Sequence, residues 1–261
     1  MEQLTPQGDP DVFFARLEQY QQGILLLDYD GTLAPFRKER HKAVPYPGVL
    51  KLLSELVAQP RLRVVIISGR SVDDLKPLLN IDPLPEIRGS HGLERWHPKS
   101  GYVRQALTPK AEAGLEAAAV WAEANNLRDR VERKPGGIAF HWRGIRELDQ
   151  KATENQITAH LTADVIGPDL EILPFDGGLE LRATGVNKGN AVADILREHA
   201  PDTPVAYFGD DQTDEDAFRA MPPHGLKVIV RKELRDTLAD LWLVPPDDLT
   251  ALLARFRHTG A

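Results

Sequence analysis

The sequence predicts an α/β protein with a parallel-sheet core and a smaller α+β domain inserted into it. Two observations carry this expectation. Short, wholly apolar runs alternate with helical spacing at both ends of the chain, and a middle stretch breaks that alternation with two hairpin signals.

Taken in order, residues 11–22 set Val12, Phe13, Leu17 and Tyr20 near helical spacing. Residues 23–27 are a continuously apolar run that stops at Asp28, the pattern of a strand buried on both faces. Pro47 opens a second helix carrying Val49, Leu50, Leu53, Leu56 and Val57 on one side, and Pro60 lies beyond its end. Residues 63–67 read as another buried strand ending in Ser68-Gly69-Arg70, and Val72, Leu75, Leu78 and Leu79 give the helix that follows. Strand–helix–strand–helix order implies parallel neighbours joined by right-handed crossovers. The pattern resumes with a helix at 187–199, a strand at 204–208, a short helix at 213–220 and a strand at 226–230. Helical stretches are expected from there to the end.

The middle is different. An Ala-rich helix at 109–125 precedes strands at 131–133 and 138–143, which turn through Pro135-Gly136-Gly137. A helix at 146–161 precedes strands at 170–174 and 179–182, which turn through Asp176-Gly177-Gly178. This unit is the expected insert, at 106–183. Residues 1–105 and 184–261 form the core around it.

Composition narrows the function. The 261 residues carry 32 Lys and Arg against 39 Asp and Glu, a net charge of −7. An acidic chain is a poor binder of nucleic acid or of an anionic membrane, since both need excess cationic side chains. There is no cysteine, which excludes disulfides, thiolate metal sites and a cysteine nucleophile. The opening MEQLTPQGDP has no basic region followed by an apolar stretch, and no apolar run approaches a membrane span. The expectation is a cytoplasmic protein, monomeric by default, with a small-molecule partner and neither nucleic acid nor membrane.

In an open parallel sheet, ligands bind beyond the carboxyl ends of the strands. Those ends carry Asp28-Tyr29-Asp30-Gly31-Thr32, Ser68-Gly69-Arg70 and Gly209-Asp210-Asp211-Gln212-Thr213-Asp214, and Asn187-Lys188-Gly189 opens a late helix. Each has a plainer reading alone: a turn, a helix cap, an acidic helix start, an exposed lysine. Together they bring carboxylates, a hydroxyl and an ammonium to one rim. Crowded carboxylates need a cation, and Mg2+ takes oxygen ligands together with phosphate. Asp28, fixed at a strand end, is then suited to attack phosphorus, and Asp30 to protonate the leaving oxygen. Asp210, Asp211 and Asp214 would ligate the metal or orient its surroundings.

These motifs resemble those of the haloacid dehalogenase (HAD) superfamily, and more closely the trehalose-6-phosphate phosphatase family. The resemblance rests on Asp28–Leu33, Ser68–Arg70, Gly89–Glu94, Lys188 and Gly209–Phe218; Ala183 stands where that family often has proline. It implies an HAD-like Rossmannoid core with an inserted α+β cap of the C2B type, which closes over the sugar and reopens to release product. It implies Asp28 as nucleophile and Mg2+ ligand, and Asp30 as acid/base and backbone ligand. Ser68 and Lys188 hold phosphate by the same resemblance, and Arg70, beside Ser68, is expected to contact substrate and help position the site. Asp210 ligates the metal, with Asp211 and Asp214 beside it.

Sugar selection is expected from polar groups of fixed geometry. The insert offers Glu132, Lys134, His141 and Arg143 on one hairpin and Glu180 on the other, and the core offers His91, Gly92 and Glu94. By resemblance these contact the sugar of trehalose 6-phosphate. Three rival readings stand beside this one. The first is the same chemistry on sucrose, glucosylglycerol or mannosylglycerate phosphate. The others are a phosphomutase and a non-catalytic sugar-phosphate sensor.

Overall fold

The computed structural model describes every residue except 38, 143, 145, 163–165, 176 and 259–261. It divides into two compact units. The first comprises Met1–Val103 with Asn187–Ala261, and the second Arg104–Val186.

The first unit is built on a nine-stranded sheet. Its strands are β1 (Glu2–Gln3), β2 (Gly23–Leu27), β3 (Leu62–Ile67), β4 (Glu86–Gly89), β5 (Glu94–His97) and β6 (Gly101–Arg104), then three more from the end of the chain. The second unit contributes β7 (Val131–Lys134), β8 (Gly137–His141), β9 (Leu170–Phe175) and β10 (Gly178–Ala183), so the late core strands are β11 (Val205–Gly209), β12 (Leu226–Val230) and β13 (Leu241–Leu243). The order in the large sheet is β1-β13-β12-β11-β2-β3-β4-β5-β6. From β13 to β4 neighbours run parallel, while β1 and β5 pair antiparallel at the flanks.

Alternate residues of the central strands feed two apolar layers. Leu25, Leu27, Val64, Ile66 and Phe208 pack on one face against α1 (Pro10–Gln19), α2 (Val49–Val57) and α3 (Val72–Leu79). Ile24, Leu26, Val65, Ile67 and Tyr207 pack on the other. In the second unit, α4 (Pro109–Ala124) and α5 (Glu147–His160) cover one face of a four-stranded antiparallel sheet, ordered β7-β8-β10-β9. Later in the chain, the first unit resumes with α6 (Lys188–Arg197), α7 (Asp214–Ala220) and α8 (Asp247–Arg255). Ala191, Val192 and Ile195 of α6 and Phe218 of α7 complete the second layer of the first unit.

The C-terminal expectation needs correction. The segment after β12 is not helical throughout: it reaches β13 before α8 begins. Leu-Trp-Leu is too short to show a period, and it joins the parallel sheet through the register Val228↔Leu241. Strands β4, β5 and β6 carry charged residues and gave no apolar run. Among the described residues, no helix is long and apolar enough to cross a membrane.

Candidate active site

The site begins where β2 ends. Asp28 follows Leu27, and its N–H still donates to Phe208 O at 2.8 Å, so the sheet holds the backbone of this carboxylate. The chain then turns sharply: Gly31 N–H donates to Ala34 O at 2.7 Å, and Leu33 and Ala34 both donate to Tyr29 O. Gly31 has φ +80°, and a Cβ there would stand 2.0 Å from Asp210 Oδ2. Glycine is therefore required twice over, by the left-handed backbone and by the close approach of the acidic loop.

That loop leaves β11, which lies beside β2 in parallel. Asp214, at the start of α7, is fully buried and engages four donors. Its Oδ1 accepts from Lys188 Nζ (2.7 Å) and Tyr207 OH (2.6 Å), and its Oδ2 accepts from the N–H groups of Asp210 (2.9 Å) and Asp211 (3.0 Å). Asp211 turns its Oδ1 to Thr213, accepting from both N–H and hydroxyl. Arg231 and Arg235 donate to the carbonyls of this loop from behind, the closest being Arg235 to Asp211 O at 2.6 Å.

Lys188 is the first residue of α6, whose N-cap Asn187 accepts from Asn190 N–H. The ammonium donates to Asp28 Oδ1 at 2.8 Å as well as to Asp214, with all three side chains buried. One oxygen each from Asp28, Asp210 and Asp214 lie within 4.8 Å of one another. Among the described residues, Asp210 Oδ1 is buried with no hydrogen-bond partner. A partnerless buried carboxylate oxygen beside two other carboxylates fits a hard divalent cation.

The electrostatics agree. Burial pushes Asp28 up to about 8; Lys188 opposes the rise, and Asp214 and Asp211 add to it. Burial and the Asp28 charge push Asp210 up to about 10. Burial alone would lower Lys188, but Asp214 and Asp28 outweigh it and hold the ammonium well above its ordinary value. Burial would raise Asp211, yet Lys188 and the Thr213 hydrogen bonds bring it down.

The remaining core candidates sit on neighbouring strand ends. β3 pairs with β2 in the register Leu27↔Ile66, so Ser68 emerges close to the Asp28 turn. Ser68 is buried and its Oγ accepts from Arg70 N–H; Ser71 is the residue that caps α3. Arg70 grips Asp30 with two hydrogen bonds of 2.6 Å, donates to Arg40 O and lies over the Tyr29 ring. Its guanidinium is therefore committed to Asp30, whereas the sequence suggested a substrate contact. His91 and Gly92 form a turn after β4, and His91 N–H donates to Ser68 O. Glu94 was expected to touch sugar, but it is buried and accepts from Ser90, Val72 and Tyr102.

In the second unit, Glu132 and Glu180 both lie opposite Ala139 across the sheet, so they share the face away from α4 and α5. On it His141 pairs with Glu132 at 3.2 Å and Lys134 with Glu180 at 2.9 Å. Arg143 lies outside the described residues. The sequence gave no sign of Tyr207, Arg231, Arg235 or Tyr102. An aromatic inside an apolar strand and arginines in a later loop acquire meaning only once folding sets them beside the acidic loop or Glu94.

Residues 26–238 match the family described as Trehalose-phosphatase. A bifunctional trehalose-6-phosphate synthase/phosphatase of Thermoproteus tenax is 38% identical over 213 residues, covering 79% of this chain and 28% of that protein. A trehalose-phosphate phosphatase of Mycobacterium marinum is 32% identical over 223 residues, covering 79% of this chain and 53% of that one. The chain thus spans about half or less of the length of these curated relatives. The structure of Aspergillus fumigatus trehalose-6-phosphate phosphatase aligns with a TM-score of 0.73 at 26% identity, covering 97% of this chain and 98% of that one. A haloacid dehalogenase-like hydrolase of Bacteroides thetaiotaomicron shares the fold, with a TM-score of 0.64 at 15% identity, covering 90% of this chain and 99% of that one.

Proposed function

This chain belongs to the trehalose-phosphatase family, and from that premise we propose that it hydrolyses trehalose 6-phosphate to trehalose and phosphate by way of a phosphoryl group carried on Asp28. The observation that supports the reading most directly is the buried Lys188–Asp28 ion pair beside the partnerless oxygen of Asp210.

Asp28 attacks phosphorus through a carboxylate oxygen. The bond between phosphorus and the sugar oxygen breaks, and Asp30 gives that oxygen its proton. A water then attacks the phosphoryl group on Asp28, Asp30 takes the water's proton, and phosphate leaves with the Asp28 carboxylate restored. Lys188 holds Asp28 in place and carries positive charge to the phosphoryl oxygens, and Ser68 offers a hydroxyl to one of them. Asp28, Asp210 and the main-chain oxygen of Asp30 would hold Mg2+, which supplies charge neutralisation between carboxylate and phosphate. Asp214, with both oxygens taken up by Lys188, Tyr207 and the loop, and Asp211, with Oδ1 taken up by Thr213, orient this set. In the core, His91 is the candidate for a sugar hydroxyl; in the second unit, taken by itself, the candidates are Glu132, Lys134, His141 and Glu180 on its polar face.

A substrate panel tests this. Released phosphate is measured with trehalose 6-phosphate, sucrose 6-phosphate, glucosylglycerol phosphate, mannosylglycerate phosphate and glucose 6-phosphate, each with and without Mg2+. Trehalose 6-phosphate is expected to give the highest kcat/KM. A higher value for any other member would reassign the substrate, and conversion without released phosphate would point to a mutase.

A further inference from the structure

Three consecutive residues, Ser90, His91 and Gly92, have positive φ, at 48°, 57° and 104°. For Ser and His this conformation is uncommon and strained, and it persists only where the surroundings over-determine it. Here the surroundings can be named. Ser90 N–H donates to Arg70 O at 2.7 Å, and His91 N–H donates to Ser68 O at 2.9 Å. From the other side Glu94 closes the turn: Oε2 accepts from Ser90 Oγ at 2.6 Å and from Val72 N–H at 3.3 Å. Its Oε1 accepts from Tyr102 OH at 2.9 Å.

A carboxylate that is 4% exposed and already takes three donors has little to offer a sugar hydroxyl. The residue it constrains is better placed. The His91 ring lies so close to Gly69 that a Cβ there would stand 2.7 Å from Nε2. Gly92 packs against Ala191 of α6, the helix that begins with Lys188. The turn thus sets His91 beside the loop that carries Ser68 and close to the start of the helix that carries Lys188.

We propose that Glu94 is a positioning residue for His91: it holds the 90–92 turn in its left-handed form, with Tyr102 as its anchor, and does not itself touch substrate. This rests on the phosphatase reading of the site, and it differs from the sugar contact that resemblance suggested for Glu94.

The experiment is a double-mutant cycle. Phosphate release is measured for the wild type, Glu94→Gln, His91→Ala and the double variant, on whichever phosphomonoester the wild type turns over fastest. Glu94→Gln is expected to lower kcat/KM by about a hundredfold, the size of a small misplacement at a reacting centre. In the His91→Ala background the same change is expected to cost less than about twofold, because its effect passes through His91. Equal losses in both backgrounds would overturn the assignment, since a direct sugar contact and a general defect of folding both act without His91. If Glu94→Gln does not fold, Tyr102→Phe decides: it removes one donor, and a smaller loss that vanishes with His91 supports the proposal. No loss, or a loss independent of His91, overturns it. A wild type that cleaves no phosphomonoester would overturn both this proposal and the phosphatase reading, whereas additive losses in an active enzyme remove only the role of Glu94.

Discussion

Lys188 and Asp28, 160 positions apart in sequence, meet at 2.8 Å with both side chains buried. Neither is stable there alone. Removing the ammonium leaves two buried carboxylates facing each other, and an uncompensated buried charge costs about 3–5 kcal/mol. Lys188→Met is therefore expected to lose turnover and a large part of its folding stability together. Because protonating Asp28 relieves the repulsion, urea midpoints for this variant should fall further below the wild type at pH 8 than at pH 5.5. A variant as stable as the wild type at both pH values would contradict the pairing.

The proposed nucleophile can be separated from the fold more cleanly. Asp28→Asn keeps the shape of the side chain and can still accept from Lys188. It is expected to remain folded by circular dichroism and to lose turnover by more than about a thousandfold. Acid-quenched wild-type enzyme should carry phosphate on Asp28 in a peptide map. Undiminished phosphate release by the variant would remove Asp28 from its role.

Much of this site was legible because its groups sit where strands end. Asp28, Ser68 and Asp210 each follow an apolar run, and parallel strands bring their carboxyl ends to one rim. What the sequence hid was partnership. Arg70 was readable as a substrate contact because nothing in Ser-Gly-Arg reveals that its guanidinium closes on Asp30. Strands β4 and β5 were invisible for a related reason. Glu86 and Arg88 are buried, yet they are compensated by Arg63, Arg95 and Glu198, so a sheet-flank strand carries ion pairs where an apolar period was sought. Short range patterning records which faces are apolar; it does not record which charge will find which partner across the fold.

Asp214 shows that difference in a measurable way. It is the hub of the acidic loop, taking Lys188, Tyr207 and two backbone N–H groups. Asp214→Asn replaces one acceptor oxygen with a donor that faces other donors. A loss of about 3 kcal/mol or more in stability is expected, since buried donors are left unsatisfied. Binding of Mn2+ followed by electron paramagnetic resonance should weaken as well, because Asp210 loses its backbone support. Wild-type values for both quantities would show that the loop holds its shape without this residue.

Cation binding should depend on pH in a definite direction. Asp28 and Asp210 are raised to about 8 and about 10, above the 3.8 of an ordinary aspartate, by burial and by neighbouring carboxylates. From about pH 4 upward the folded chain therefore holds protons that the unfolded chain has released, and folding alone becomes less favourable as pH rises toward those values. A divalent cation takes the place of the protons, so its apparent affinity should rise by up to about tenfold per pH unit for each proton displaced. The increase in Tm produced by a fixed Mg2+ concentration is expected to be larger at pH 8 than at pH 6. An equal increase at the two pH values would mean that these carboxylates are already ionised at pH 6.

Selectivity for the sugar should separate from the chemistry. Lys134 pairs with Glu180 at 2.9 Å, and both are mostly buried on the polar face of the second unit. An aryl phosphate with a good leaving group presents no sugar hydroxyls and needs little help from a general acid, so it reports on Asp28 and Lys188 without the sugar contacts. Lys134→Ala and Glu180→Gln are expected to lower kcat/KM for trehalose 6-phosphate by about tenfold to a hundredfold, as expected when a charged hydrogen bond to substrate is lost. The same variants should change kcat/KM for the aryl phosphate by less than about threefold. Parallel losses on both substrates would mean that the Lys134–Glu180 pair supports the fold of the second unit and takes no part in reading the sugar.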